Sequence, residues 1–183
     1  MIKTNFITGF LAICLVVCST LLHAAGSDSE QHEAHVHGEA LLLIAIEGDA
    51  LEIEFISPAM NLVGFEHQPA NAQQEQAVEA AIGSLRQPDL VFSIPSAAKC
   101  VPVSIEVESP LAEHGDHHDH EGEAHTDFTA HYRFRCSAIS YLEMIDVKLF
   151  KQFPGTEVIE VQSISKRGQQ KIDLTPGQSR LEL

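Results

Sequence analysis

Residues 113–125 read Glu-His-Gly-Asp-His-His-Asp-His-Glu-Gly-Glu-Ala-His, and no fold can use them as core. Five histidines (His114, His117, His118, His120, His125) and five carboxylates (Glu113, Asp116, Asp119, Glu121, Glu123) leave the methyl group of Ala124 as the only apolar side chain. Unpaired polar groups are costly to bury, so the chain makes a surface excursion here. Ordinary polar loops draw on Ser, Asn, Lys and Glu, whereas histidine at this density is the composition of metal-binding tracts. Neutral imidazole suits Zn, Ni and Cu(II), and carboxylates add hard oxygens that offset the ion's charge. The plain alternative is a solvated loop that binds nothing. The candidate ligands here are His114, Asp116, His117, His118, His120 and His125.

A second histidine group precedes the first apolar run. His35 and His37 are two residues apart, so in an extended chain both side chains face the same way and can start a bidentate site. The competing reading is a strand end that binds nothing. His67, in Gly64-Phe65-Glu66-His67, is an isolated candidate, and a lone loop histidine is more often merely solvated.

Residues 1–24 carry the signs of a cleaved secretory signal. Lys3 supplies a positive start, Phe6–Leu22 is almost wholly apolar, and Leu22-His23-Ala24 offers a small residue for cleavage. A polar, acidic stretch follows with no basic flank, which argues against a membrane anchor. About 159 residues remain, enough for one domain with a core, residues 25–183. The formal charge of −15 becomes −16 once Lys3 leaves. That excludes attraction to nucleic acid or anionic lipid and favours cations as partners. Cys14 and Cys18 leave with the signal. Cys100 and Cys136 remain, and two cysteines in an exported chain read as one disulfide.

Leu41–Ile46, the turn Glu47-Gly48-Asp49 and the alternation of Leu51, Ile53 and Phe55 predict a hairpin whose first strand is covered on both faces. Asn71, with Gln74 at the reciprocal position, caps the one good helix, whose apolar stripe is Ala77, Val78, Ala81, Ile82 and Leu85. Everything else reads as strand: Leu90–Ile94; Val101–Val107; Phe128–Cys136; Ile145, Val147 and Leu149; Val158, Val161 and Ile164; and short edges in the tail. The fold class is therefore mainly β (α+β), an antiparallel sandwich or curled sheet with one packed helix and a flexible His/Asp/Glu loop, 109–126, between two strands. A simple hairpin with the cysteines opposed would point the apolar sides of Val101–Val107 and Thr129–Arg135 opposite ways. Either a bulge at Pro102 corrects the register or the two strands are not neighbours.

His35-Val-His37-Gly, Ser57-Pro-Ala-Met-Asn-Leu-Val-Gly-Phe-Glu-His67, Asp127-Phe-Thr-Ala-His-Tyr-Arg-Phe-Arg-Cys136 and Leu149-Phe-Lys-Gln-Phe-Pro154 together resemble the ZrgA family of zinc-uptake proteins of the Gram-negative periplasm. The resemblance spans the chain after the signal. It implies a zinc-binding accessory of high-affinity uptake, working beside an ABC importer and its solute-binding protein, with residues 113–125 as the family's variable His/Asp/Glu segment. Two other classes compete. An enzyme is disfavoured because HExxH, a GxSxG elbow and a free catalytic cysteine are all missing. A structural or sensing module would use histidine charge as a pH switch, and pH-dependent binding without metal would identify it. Copper(I) is disfavoured by the few methionines and the paired thiols.

Overall fold

The computed structural model describes residues 36–112 and 126–183. The signal segment, His35 and the tract 113–125 lie outside the described residues.

Strands β1 (Glu39–Glu47) and β2 (Ala50–Pro58) form the expected hairpin. Glu47 pairs with Ala50, so the loop is two residues long, and Gly48 takes the positive φ of 62° that such a turn requires. A short helix α1 (Ala59–Val63) follows, then α2 (Ala72–Leu85) and a single turn α3 (Pro88–Val91). The remaining elements are β3 (Phe92–Ser93), β4 (Cys100–Glu108), β5 (Asp127–Cys136), β6 (Met144–Val147), the turn α4 (Leu149–Gln152), β7 (Val158–Ser165), β8 (Gly168–Leu174) and β9 (Arg180–Glu182). Six strands make the main sheet in the order β4-β5-β2-β1-β7-β8, and β3-β6-β9 make a second. The chain is mainly β with one substantial helix, as its alternation predicts.

One face of the main sheet is core. Leu42, Leu51, Ile53, Phe55, Phe128, Tyr132, Ile159 and Val161 are buried there, in one cluster with Val78, Ala81 and Leu85 of α2 and Phe92, Ile145 and Leu181 of the second sheet. Asn71 caps α2 by accepting from the Gln74 backbone at 3.0 Å, while Gln74 Oε1 accepts from Ala70 N. Tyr132 fastens three layers together. Its hydroxyl donates to the Leu85 carbonyl at 2.8 Å, and Phe92 meets its ring edge-on at 5.2 Å. Burial pushes this phenol above its usual range, which keeps it protonated and donating.

The face mismatch between β4 and β5 resolves as a bulge. The register slips by one residue between Pro102 and Ser104, so that Ile105 and Val107 join Tyr132 and Ala130 on the core side. Pro102 is tolerated because β4 is an edge strand. Cys100 and Cys136 lie opposite each other and are bridged. They close a loop with a sequence separation of 36, which the chain-entropy model values at about 3–4 kcal/mol. Cys100→Ser/Cys136→Ser should lose about that much in a urea titration monitored by circular dichroism. A loss below about 1 kcal/mol would contradict the bridge's role as a clamp.

Other expectations need correction. The segment Leu90–Ile94 is strand only at Phe92–Ser93, because Pro88 occupies the first position of a helical turn, where its fixed φ and missing N–H do no harm. Leu149 likewise opens α4 and does not extend β6. The main sheet is not wholly antiparallel, since β1 pairs with β7 in parallel. Nor is β1 covered on both faces. Leu41 and Leu43 are only half-buried, and the face carrying Leu43, Ala45 and Ile164 opens as a concavity of about 850 Å³.

Candidate metal centre

The pairing register brings several sequence motifs to one end of the main sheet. There β1 begins, β2 ends at Pro58 opposite Asp127, β4 ends with Glu108 opposite Thr129, and β7 begins beside Glu39. The tract 113–125 therefore leaves and re-enters the scaffold at the end where His37 stands. Both roots are fixed. On one side Ser109 is buried and Leu111, only 1% exposed, is locked into the 3-10 turn Pro110–Ala112. On the other, the Thr126 carbonyl accepts from Ala59 N at 3.1 Å. Residues 109–112, assigned to the loop by sequence, are thus part of the packed scaffold. The disulfide lies at the opposite end of the β4–β5 hairpin, roughly 26 Å away at about 3.3 Å per residue.

The backbone that carries His37 is held by Asn61, whose side chain is buried. Its Oδ1 accepts from Gly38 N at 2.7 Å, and its Nδ2 donates to the Glu39 carbonyl at 2.8 Å and to Ser57 Oγ at 3.1 Å. Gly38, at a φ of 90°, offers its carbonyl to Glu157 N and Val158 N. A Cβ at Gly155 would stand 2.5 Å from the Asn61 carbonyl oxygen, so glycine is required where the Phe153-Pro154-Gly155 loop crosses α1. The Ser57–Asn61 and Phe-Pro-Gly motifs are a clamp around the start of β1.

Gly64 ends α1 at a φ of 82°, its N–H closing on the Met60 carbonyl, and turns the chain so that Phe65 is buried. Glu66 then faces β1, with Oε2 3.1 Å from His37 Nε2. His67 lies over Phe65 with ring centroids 5.1 Å apart, and its Nδ1 is 2.9 Å from the Gln68 carbonyl. Gln68 Nε2 donates to the Pro110 carbonyl at 3.1 Å, tying this loop to the root of the tract. The side chains of His37 and Glu66 are 56% and 32% exposed, so the pair is open to solvent.

Of the residues singled out by sequence, His37 and His67 lie among the described residues, and Cys100 and Cys136 are joined. His35, His114, Asp116, His117, His118, His120 and His125 lie outside the described residues. Among the described residues, no three His, Cys, Asp or Glu side chains already surround one point. Glu66 is a partner that sequence reasoning left unassigned. The only available signal was its place beside His67 after a helix-ending glycine. The remaining described histidine, His131, lies on the open sheet face, 3.9 Å from Glu54.

A mixed sheet with an exposed imidazole–carboxylate pair at the mouth of a histidine-rich insertion defines a candidate metal-binding domain. The family model described as ZrgA family zinc uptake protein matches residues 34–183, and the chain belongs to that family. No curated protein matches the sequence. No helix among the described residues is long and apolar enough to cross a membrane.

Proposed function

We propose that the protein gathers Zn2+ in the periplasm for high-affinity uptake, capturing it with the tract 113–125 and with His35 and His37, and passing it to the solute-binding protein of an ABC importer. The observation that carries this reading is the convergence at one sheet end of His37, Glu66 and both roots of the tract. Family membership supports zinc as the cargo. Five imidazoles and five carboxylates exceed the four positions of one tetrahedral ion, so an ion can be passed between donor sets. A strongly acidic chain raises the local concentration of cations and hastens their capture. Residues 1–24 act as the export signal, and the disulfide suits an oxidising compartment.

Protons and zinc compete for the same nitrogen lone pair, so affinity must fall as imidazole charges. Free imidazole titrates near about pH 6.5. A site with two imidazoles should therefore lose about a hundredfold in affinity between about pH 7.5 and 5.5. Calorimetric zinc titrations across that range check it. An affinity unchanged at both ends would rule out imidazole ligation and the carrier reading with it.

A further inference from the structure

We propose that the protein self-associates through β8, which pairs antiparallel with the β8 of a second copy about a two-fold axis at Ile172. Nothing in this pairing calls on zinc. The main sheet ends in β4 on one side and β8 on the other. β4 carries Pro102 and the bulge beside it, devices that keep an edge from taking up another strand. β8 has neither. Its seven residues, Gly168–Leu174, run in unbroken register with β7, and among the described residues no strand pairs with their outer side. β9 approaches from the core side, where Gln170 Nε2 donates to the Glu182 carbonyl at 2.7 Å and the Arg167 guanidinium to that of Leu183. Antiparallel ladders alternate between residues that bond their neighbour and residues that turn away. The two-residue Lys166-Arg167 loop makes Ser165 and Gly168 a bonded pair. Ile172, of the same parity, is therefore spent on β7, while Lys171 and Asp173 turn their N–H and C=O outward.

Charge selects the register. With the axis at Ile172, Lys171 faces Asp173 of the second copy, twice by symmetry, and each such pair exchanges two backbone hydrogen bonds. Both side chains stand on the open face, and half-buried Ile172 meets its counterpart on the core side. An axis at Lys171 or at Asp173 would instead set like charges against each other. A lysine on an edge ordinarily repels a second strand, but an aspartate two residues on makes this edge complementary to itself. Within its own copy Asp173 stands opposite Glu160, a like charge, so a lysine on its outer side relieves it. Lys171 reaches Glu160 at 2.8 Å, and an ammonium with three hydrogens can serve both carboxylates. β8 ends beside the start of β7, at the end of the sheet where the tract is rooted. Two copies so joined carry their tracts at opposite ends of one continuous sheet, clear of the junction.

A contact of one strand on one strand is small, so the dimer is a weak one. Sedimentation velocity, run with a chelator to remove any zinc bridging, should show the mass rise from one copy to two between about 1 μM and about 1 mM. Lys171→Asp leaves two aspartates on the edge and Asp173→Lys two lysines, so each variant alone should dimerise at least tenfold more weakly. Mixed in equal amounts, the two should pair with each other about as tightly as the parent pairs with itself. Lys171→Asp/Asp173→Lys in one chain should also pair like the parent, a result that does not depend on either single variant folding. A parent that stays monomeric throughout, single variants that associate like the parent, or a mixture and a double exchange that gain nothing would each overturn the proposal. None of these outcomes bears on zinc capture.

Discussion

Replacing residues 113–125 with a short Gly/Ser connector should leave the fold standing and remove at least one zinc equivalent. The tract holds no core-forming side chain, so its deletion takes almost no apolar area out of the interior. Among the described residues the two roots of the tract are held at Leu111 and at Thr126, and neither contact is touched by the change. Shortening a loop alters its closure entropy by only a few tenths of a kcal/mol up to about 1 kcal/mol. The disulfide and the β4–β5 ladder should persist, and thermal unfolding should move by no more than a few degrees. Zinc stoichiometry is the quantity that changes. A variant that keeps every equivalent, equally tightly, would show the tract to be a polar loop. One that unfolds would make the tract structural.

The largest loss of stability from a single substitution is expected at Asn61. Alanine there strips a partner from each of two buried groups, Gly38 N and Ser57 Oγ, and from the partly buried Glu39 carbonyl. A buried polar group left unpaired costs about 1–3 kcal/mol. With some relaxation, Asn61→Ala should destabilise the protein by about 3–5 kcal/mol, read as a lower denaturation midpoint at unchanged slope. Because the same bonds hold the backbone of His37, zinc affinity should fall as well if His37 is a ligand, measured under conditions where the variant is folded. A stability loss below about 1 kcal/mol would mean that the clamp is not what organises this end of the sheet.

Features governed by local chemistry were legible in the sequence. Gly48 between an apolar run and an alternating one predicts the hairpin, Asn71 with Gln74 predicts the start of α2, and the opposed faces of Val101–Val107 and Thr129–Arg135 leave a bulge at Pro102 as one of two outcomes, the one the fold takes. Long-range arrangement was not legible. Nothing local tells β1 that its second neighbour is β7, running parallel, or that its other face stays half-open. Leu90–Ile94 misleads because an apolar run of five residues satisfies a strand and a helical turn alike, and only Pro88 tips the balance. His37 was legible as a candidate ligand from its spacing to His35. Glu66 was not, because its role arises only when α1 folds back over the start of β1. Asn61 reads as an ordinary polar residue until its three partners, from the start of β1 and the end of β2, are seen around it.

The account's central claim is that zinc is held at the sheet end where His37 meets the tract. Long-range nitrogen–proton spectra of the histidine rings, recorded while Zn2+ is added to the intact protein, test it most directly. Resonances of His37 and of the tract histidines should move together within the first equivalents, and those of His131, on the open sheet face beside Glu54, should stay in place. Early shifts at His131 with His37 and the tract unaffected would contradict the account.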